Sequence, residues 1–163
     1  MGNVIALGFL MGLVAMFVIA PKEVYRGIML IQYGSLTKDD KAKSWIPVYN
    51  IVKAESTYTG KVSSIFISFV VLLVLVVLRF VCVGLLSEAV LLNGITGLCA
   101  YVGVLVFYGS MVVFNFRVLN DAGCVSFLKM LFLALIVPVG QDYIGKWLPQ
   151  LIKHSIKEEE GTF

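Results

Sequence analysis

Apolar positions fall into four long blocks, over 2–20, 62–86, 95–116 and 124–139, separated by short polar stretches. The first three reach the roughly 20 residues that a helix needs to cross about 30 Å of hydrocarbon. β-Branched residues crowd the second block, SIFISFVVLLVLVVLRFVCVGLL. An isolated strand leaves its backbone groups unsatisfied in lipid, so the block is still read as helix. The fourth block is shorter and runs into Pro138 and Gly140, so it either crosses fully or dips in and returns. The pattern predicts an all-α integral membrane protein of four hydrophobic helices, the fourth short or re-entrant, with interfacial amphipathic segments. These would form a single polytopic domain over 1–157, followed by an acidic flexible tail at 158–163.

Between the first two blocks, residues 21–61 mix apolar and charged positions. In KEVYRGIMLIQY (22–33), Val24, Ile28 and Ile31 share one side at helical spacing. The segment is either a helix lying on the inner leaflet or an extension of the first span. GSLTKDDKAKS reads as a flexible polar stretch. It leads into KAKSWIPVYNIVKAE (41–55), where Trp45 and Tyr49 suit the headgroup zone and Lys53 reaches lipid phosphates. Pro47 interrupts helix, and Asn50 is placed to bond backbone groups freed by that break. These five residues are the expected interfacial anchor. Residues 142–157, DYIGKWLPQLIKHSIK, form a second amphipathic stretch, interrupted at Pro149.

Composition narrows the class. Of 163 residues, 60% are hydrophobic and 14% charged, and the mean hydropathy is +0.95. Soluble domains carry about 25% charged residues, so this chain lacks the polar surface of one. The net charge of +3 is spread around apolar blocks, which fits membrane orientation and not nucleic-acid binding. Seven lysines and arginines lie in 21–61 and none in 87–94. The positive-inside rule then puts 22–61 against the anionic inner leaflet and the N-terminus outside. A full fourth crossing would place Lys146, Lys153 and Lys157 outside, against that trend. The first block lacks a basic leader and a small-residue cleavage site, so it is read as a retained span.

Few residues carry chemistry. Gly8, Gly12 and Ala15 form a small face in the first block, and Gly97, Ala100 and Gly103 a weaker one in the third. Such faces let helices approach closely where lipid supplies no hydrophobic drive between them. Arg79 stands well inside the second block, where a charge costs at least about 2.5–3.5 kcal/mol unless directed to water or a partner. Counting inward from Ile95 puts Tyr101 at similar depth, which predicts an Arg79–Tyr101 pair, with Glu88 as a second candidate. Asn115, Arg117, Asn120 and Asp121 are expected to form a cytoplasmic turn. Cys82, Cys99 and Cys124 are widely spaced helix residues without a C-x-x-C pair, and no metal or cofactor site is expected. The serines show no serine–lysine arrangement and there is no nucleotide fingerprint, so no catalytic residue is nominated.

W-I-P-V-Y-N-I-V-K at 45–53, two following spans and N-F-R-V-L-N-D-A-G-C-V-S-F at 115–127 also resemble a family. Its members are small uncharacterised bacterial polytopic membrane proteins with an I-P-[IV]-Y-N segment, sometimes labelled signal-peptidase-like. The resemblance covers about 45–140 and is carried by Ile46–Asn50. Asn120-Asp121-Ala122-Gly123 keeps the glycine of the family's turn but is more acidic. It implies a polytopic membrane fold and no activity. The expected function is that of a non-catalytic accessory or scaffold subunit of a membrane assembly, held by other subunits or by self-association. The alternative is an oligomeric pore former, such as a phage-type holin or small channel.

Overall fold

The computed structural model describes residues 2–85, 90–123 and 126–160, with side chains over 7–8, 10–85, 90–123 and 126–150. All regular structure among the described residues is helical, with no strand. Helix α1 (Gly2–Val14), a π-helical turn (Ala15–Ile19) and α2 (Ala20–Tyr33) follow without a break. Pro21 accounts for the π turn. It has no N–H for the Phe17 carbonyl, and in a regular helix its ring would collide with that carbonyl. Widening the turn just before it, with the Ala20 N–H reaching back to Ala15 O, relieves both problems. Segment 22–33 is thus a continuation of the first helix. Its apolar side, with Val24, Tyr25, Ile28 and Met29, is buried in protein, and Gly34 ends it at φ 69°.

The remaining elements are α3 (Lys38–Lys43), α4 (Tyr49–Thr59), α5 (Ser64–Leu85), α6 (Val90–Ala122), α7 (Phe127–Leu135) and α8 (Val137–Glu160). The stretch expected to be flexible contains a capped helical turn. Thr37 accepts from the Asp40 N–H at 3.1 Å, and Asp40 accepts from the Thr37 N–H at 3.1 Å. Contacts divide the chain into two compact units, 1–61 with 112–163, and 62–111.

In the first unit α2 packs chiefly on α8 and on α4, and α7 packs on α8. Helices α2 and α8 approach closely where Gly145 meets Glu23 and Gly27. Pro149 leaves the Gly145 carbonyl without its intrahelical donor, and that oxygen faces Gly27. Helices α7 and α8 meet at Ile136 with a bend of 117°. Pro138 forces the break, because it has no N–H for the Ala134 carbonyl and crowds it. With 9 residues, α7 is about 13 Å long, too short to cross by itself. Helix α8 carries Pro149 in its interior and runs on through Glu160, so the acidic residues 158–160 are helical. Residues 161–163 lie outside the described residues.

The second unit is an antiparallel hairpin of α5 and the part of α6 up to Met111. The Leu72 and Leu75 side chains press on Gly103, Phe69 meets Phe107 with centroids 5.7 Å apart, and Ser68 bonds Ser110 at 2.9 Å. Helix α6 is longer at both ends than the 95–116 block predicts. Among the described residues two helices, α5 and α6, are long and apolar enough to cross a membrane, or three spans if the bent α7–α8 pair counts as one. These mark a membrane protein; the first block, divided by the π turn, does not add a further uninterrupted span.

Candidate functional site

Backbone geometry just after Pro47 departs from the ordinary. The Tyr49 N–H donates to the Pro47 carbonyl at 2.7 Å, closing a three-residue turn over Val48. Val48 has φ 65° and ψ −45°, the rare and strained form of the γ-turn. A β-branched residue is least suited to that region. It is the sole non-glycine residue with positive φ among the described residues. Such a conformation costs on the order of 1–3 kcal/mol and persists only where its surroundings over-determine it.

Asn50 supplies much of that determination. Its residue is fully buried, its Nδ2 donates to Ser44 O at 3.0 Å, and its Oδ1 accepts from the Ile51 N–H at 2.8 Å. Nδ2 also lies 3.5 Å from the Val18 carbonyl in the π turn of the first helix. The break at Pro21 and the break at Pro47 are therefore joined through one amide. On the outer side Trp45 is exposed, with Lys22 Nζ 4.2 Å above its ring. Pro47 and Lys53 are also exposed.

The turn delivers Tyr49 to a cleft of about 430 Å³ between the end of α2, the 35–43 segment and α4. Tyr25, Tyr33, Tyr49, Asp40, Lys43 and Lys53 line it. The Tyr25 and Tyr49 rings are 6.5 Å apart and inclined at 40°. Burial, reinforced by the Asp40 carboxylate, pushes the Tyr25 phenol up to about 12, so it remains a neutral donor to Asp40 Oδ1 at 3.4 Å. The hydroxyl and N–H of Thr37 hold Asp40 below the usual carboxylate range. Lys43 is paired with Asp39 at 2.5 Å, and Lys53 has no ion pair among the described residues. The walls thus combine tyrosine side chains, one fixed carboxylate and two ammonium groups. No group of three or more His, Cys, Asp or Glu side chains able to hold a metal ion lies among the described residues.

Arg79 finds a different partner from the one expected. Its Nη1 donates to the Asn93 backbone carbonyl, and lies 3.3 Å from both Asn93 Oδ1 and Thr96 Oγ1. Tyr101 is 63% exposed and makes no hydrogen bond or ring contact with it among the described residues. The expected pairing took Ile95 as the helix start, but α6 begins at Val90. Five residues of helix shift the depth by about 7 Å. Across the hairpin, Arg79 therefore meets the 93–97 region. Glu88 lies outside the described residues. In a double-mutant cycle, Arg79→Gln with Thr96→Val should show coupling of about 0.5 kcal/mol or more, and Arg79→Gln with Tyr101→Phe should be additive.

The small-residue faces divide. A Cβ at Gly97 would stand 3.6 Å from the Arg79 guanidinium carbon, and one at Gly103 would stand 3.0 Å from a Leu75 methyl. Ala100 is half-buried on the same helix. Among the described residues nothing beyond the helix's own backbone and the chain neighbours comes within 4 Å of a Cβ at Gly8 or Gly12, and Ala15 opens the π turn, half-buried. The expected turn at 115–121 is instead helix, which ends at Ala122 before Gly123 with φ 66°. Asn115 turns inward to Val137 O at 3.4 Å, and Asp121 accepts from the Tyr58 hydroxyl at 2.9 Å. Burial and that bond raise the Tyr58 phenol above its ordinary range. Cys82 is buried and Cys99 exposed; Cys124 lies outside the described residues. No family model, no curated protein and no solved structure matches this chain, so its own geometry carries the functional reading.

Proposed function

We propose that the chain is a non-catalytic accessory or scaffold subunit of a larger membrane assembly. The observation that carries this reading is where the polar side chains of α5 and α6 point. Arg79 is spent on Asn93 and Thr96, and Ser68 on Ser110, inside the hairpin. Outward positions such as Val70, Val74, Val77, Leu98, Leu105 and Val113 are exposed and apolar. A surface of that kind suits lipid and neighbouring helices, whereas a water-filled pore needs a polar lining.

The open Gly8/Gly12 face, beside exposed Leu7 and Met11, is the docking surface in this reading. The lysine-rich segment 21–61 sits against the anionic inner leaflet of a bacterial inner membrane, with the N-terminus outside, as the charge distribution favours. The I-P-[IV]-Y-N resemblance at 46–50 adds a polytopic setting and no activity.

Purification from native membranes in mild detergent should retain other membrane chains at fixed stoichiometry. Isoleucine at Gly8 and Gly12 should release them while the isolated chain loses less than about 0.5 kcal/mol of stability, because neither site touches its own fold. A homogeneous homo-oligomer that conducts ions in planar bilayers would replace the scaffold reading with the pore-forming alternative.

A further inference from the structure

The cleft beside the Pro47 turn is built for a ligand of both charges. Phenol faces carry negative potential and attract ammonium groups, more so beside a carboxylate. Tyr33 and Tyr49, both exposed, line it beside Asp40, over the buried Tyr25. Asp40 Oδ2 is taken up by Thr37 at 2.6 and 3.1 Å, but among the described residues Oδ1 accepts only the long Tyr25 bond, which leaves it room for a second donor. A simple anion would meet the ring faces and Asp40 as repulsion. A simple cation would meet Lys43 and Lys53 in the same way.

We propose that this cleft binds a zwitterionic phosphate ester, with its ammonium among the tyrosines and Asp40 and its phosphate on Lys53 and Lys43. Lys53 is the stronger phosphate ligand, since Lys43 shares its charge with Asp39. The volume of about 430 Å³ lies in the range of small-ligand sites and accepts an ethanolamine- or choline-type headgroup. Strain at Val48 has a role here, because the turn it closes sets the position of Tyr49 in the wall. The chemistry is shared by a phospholipid headgroup and by a free glycerophosphodiester. A lipid source follows only if segment 21–61 lies at the bilayer surface, as proposed above.

The test uses the full chain in detergent, titrated with glycerophosphoethanolamine, glycerophosphocholine or inorganic phosphate and followed by calorimetry. The two zwitterions should bind at least about tenfold tighter than phosphate, the size of one charge-assisted contact. Asp40→Asn should remove that preference and leave phosphate binding unchanged, whereas Lys53→Gln should weaken all three ligands. Tyr33→Ala, at a position 62% exposed and outside the core, should cost zwitterion affinity without affecting thermal unfolding. Equal binding of phosphate and zwitterion, or no effect of Asp40→Asn and Tyr33→Ala in folded protein, would overturn the proposal. Absence of binding at millimolar ligand would do the same. Nanodiscs distinguish the sources: if lipid is the occupant, phosphatidylethanolamine discs should block glycerophosphoethanolamine binding and phosphatidylglycerol discs should not. A site that stays open in both discs is a site for the soluble ester, and segment 21–61 then lies away from the bilayer surface.

Discussion

Alanine at Gly140 or Gly145 should destabilise the first unit by about 3 kcal/mol or more, the upper range for forcing atoms into a packed site. A Cβ on Gly140 would fall well inside the van der Waals contact distance of the Leu133 carbonyl oxygen and lie 3.2 Å from Asn115 Nδ2. One on Gly145 would lie 2.5 Å from both the Cβ and the carbonyl oxygen of Glu23. In both cases the obstacle includes backbone, which yields only by moving a helix. Gly27→Ala should cost less, about 1–2 kcal/mol, since its nearest neighbour, the Gly145 oxygen, is 3.0 Å away. Gly8→Ala should cost nothing, because no packed neighbour among the described residues lies within 4 Å and alanine is the better helix former. Thermal or SDS unfolding of the four variants measures the order. If Gly145→Ala unfolded like Gly8→Ala, α2 and α8 would not pack at that crossing.

That grading shows what the chain alone makes legible. Long apolar blocks report α5 and α6 because their signal is composition over a full turn-by-turn length, and lipid permits only helix there. Gly97 and Gly103 carry a signal in the sequence for the same reason: small residues inside an apolar block stand out. Gly27 and Gly145, at a close crossing of α2 and α8, do not stand out, since both sit among charged residues where a small residue reads as loop or chance. A faint signal existed, because Gly27 shares a helical side with Ala20, Val24 and Ile28. The partner of Arg79 was missed through a helix boundary, the least certain quantity in any pattern reading. Pro47 and Asn50 were recognised as a break and its repair. The carbonyl approached by Asn50 nevertheless lies 32 residues away in the π turn, a distance no local pattern encodes. Likewise the buried amides of Asn115 and Gln141, with Asn115 Oδ1 and both Gln141 side-chain atoms unpartnered among the described residues, leave no trace in apolar periodicity.

Asn50 gives the second large effect and one with a sign that depends on pH. Val48 precedes α4 without a side-chain cap, so the Ile51 N–H depends on Asn50 Oδ1, and the Ser44 carbonyl depends on Nδ2. Asn50→Ala leaves two buried groups unmet at about 1–3 kcal/mol each, and a total near 3 kcal/mol is expected. Asn50→Asp keeps the acceptor and the shape but puts a carboxylate where a donor stood, facing the Ser44 oxygen. The start of α4 favours negative charge by about 1 kcal/mol, which is less than the several kcal/mol lost when an unpaired charge is buried. At neutral pH the aspartate variant should therefore be the less stable of the two. Its folded carboxyl would titrate above the unfolded value of about 3.9. Protonation restores an O–H donor, so the penalty is absent below that value, grows as pH rises toward the folded pKa and is constant beyond it. Unfolding of Asn50→Asp beside the parent at about pH 5 and about pH 8 should show the gap widening with pH. A gap that stayed level, or narrowed, would mean that the amide does not hold the Pro47 turn from within the core.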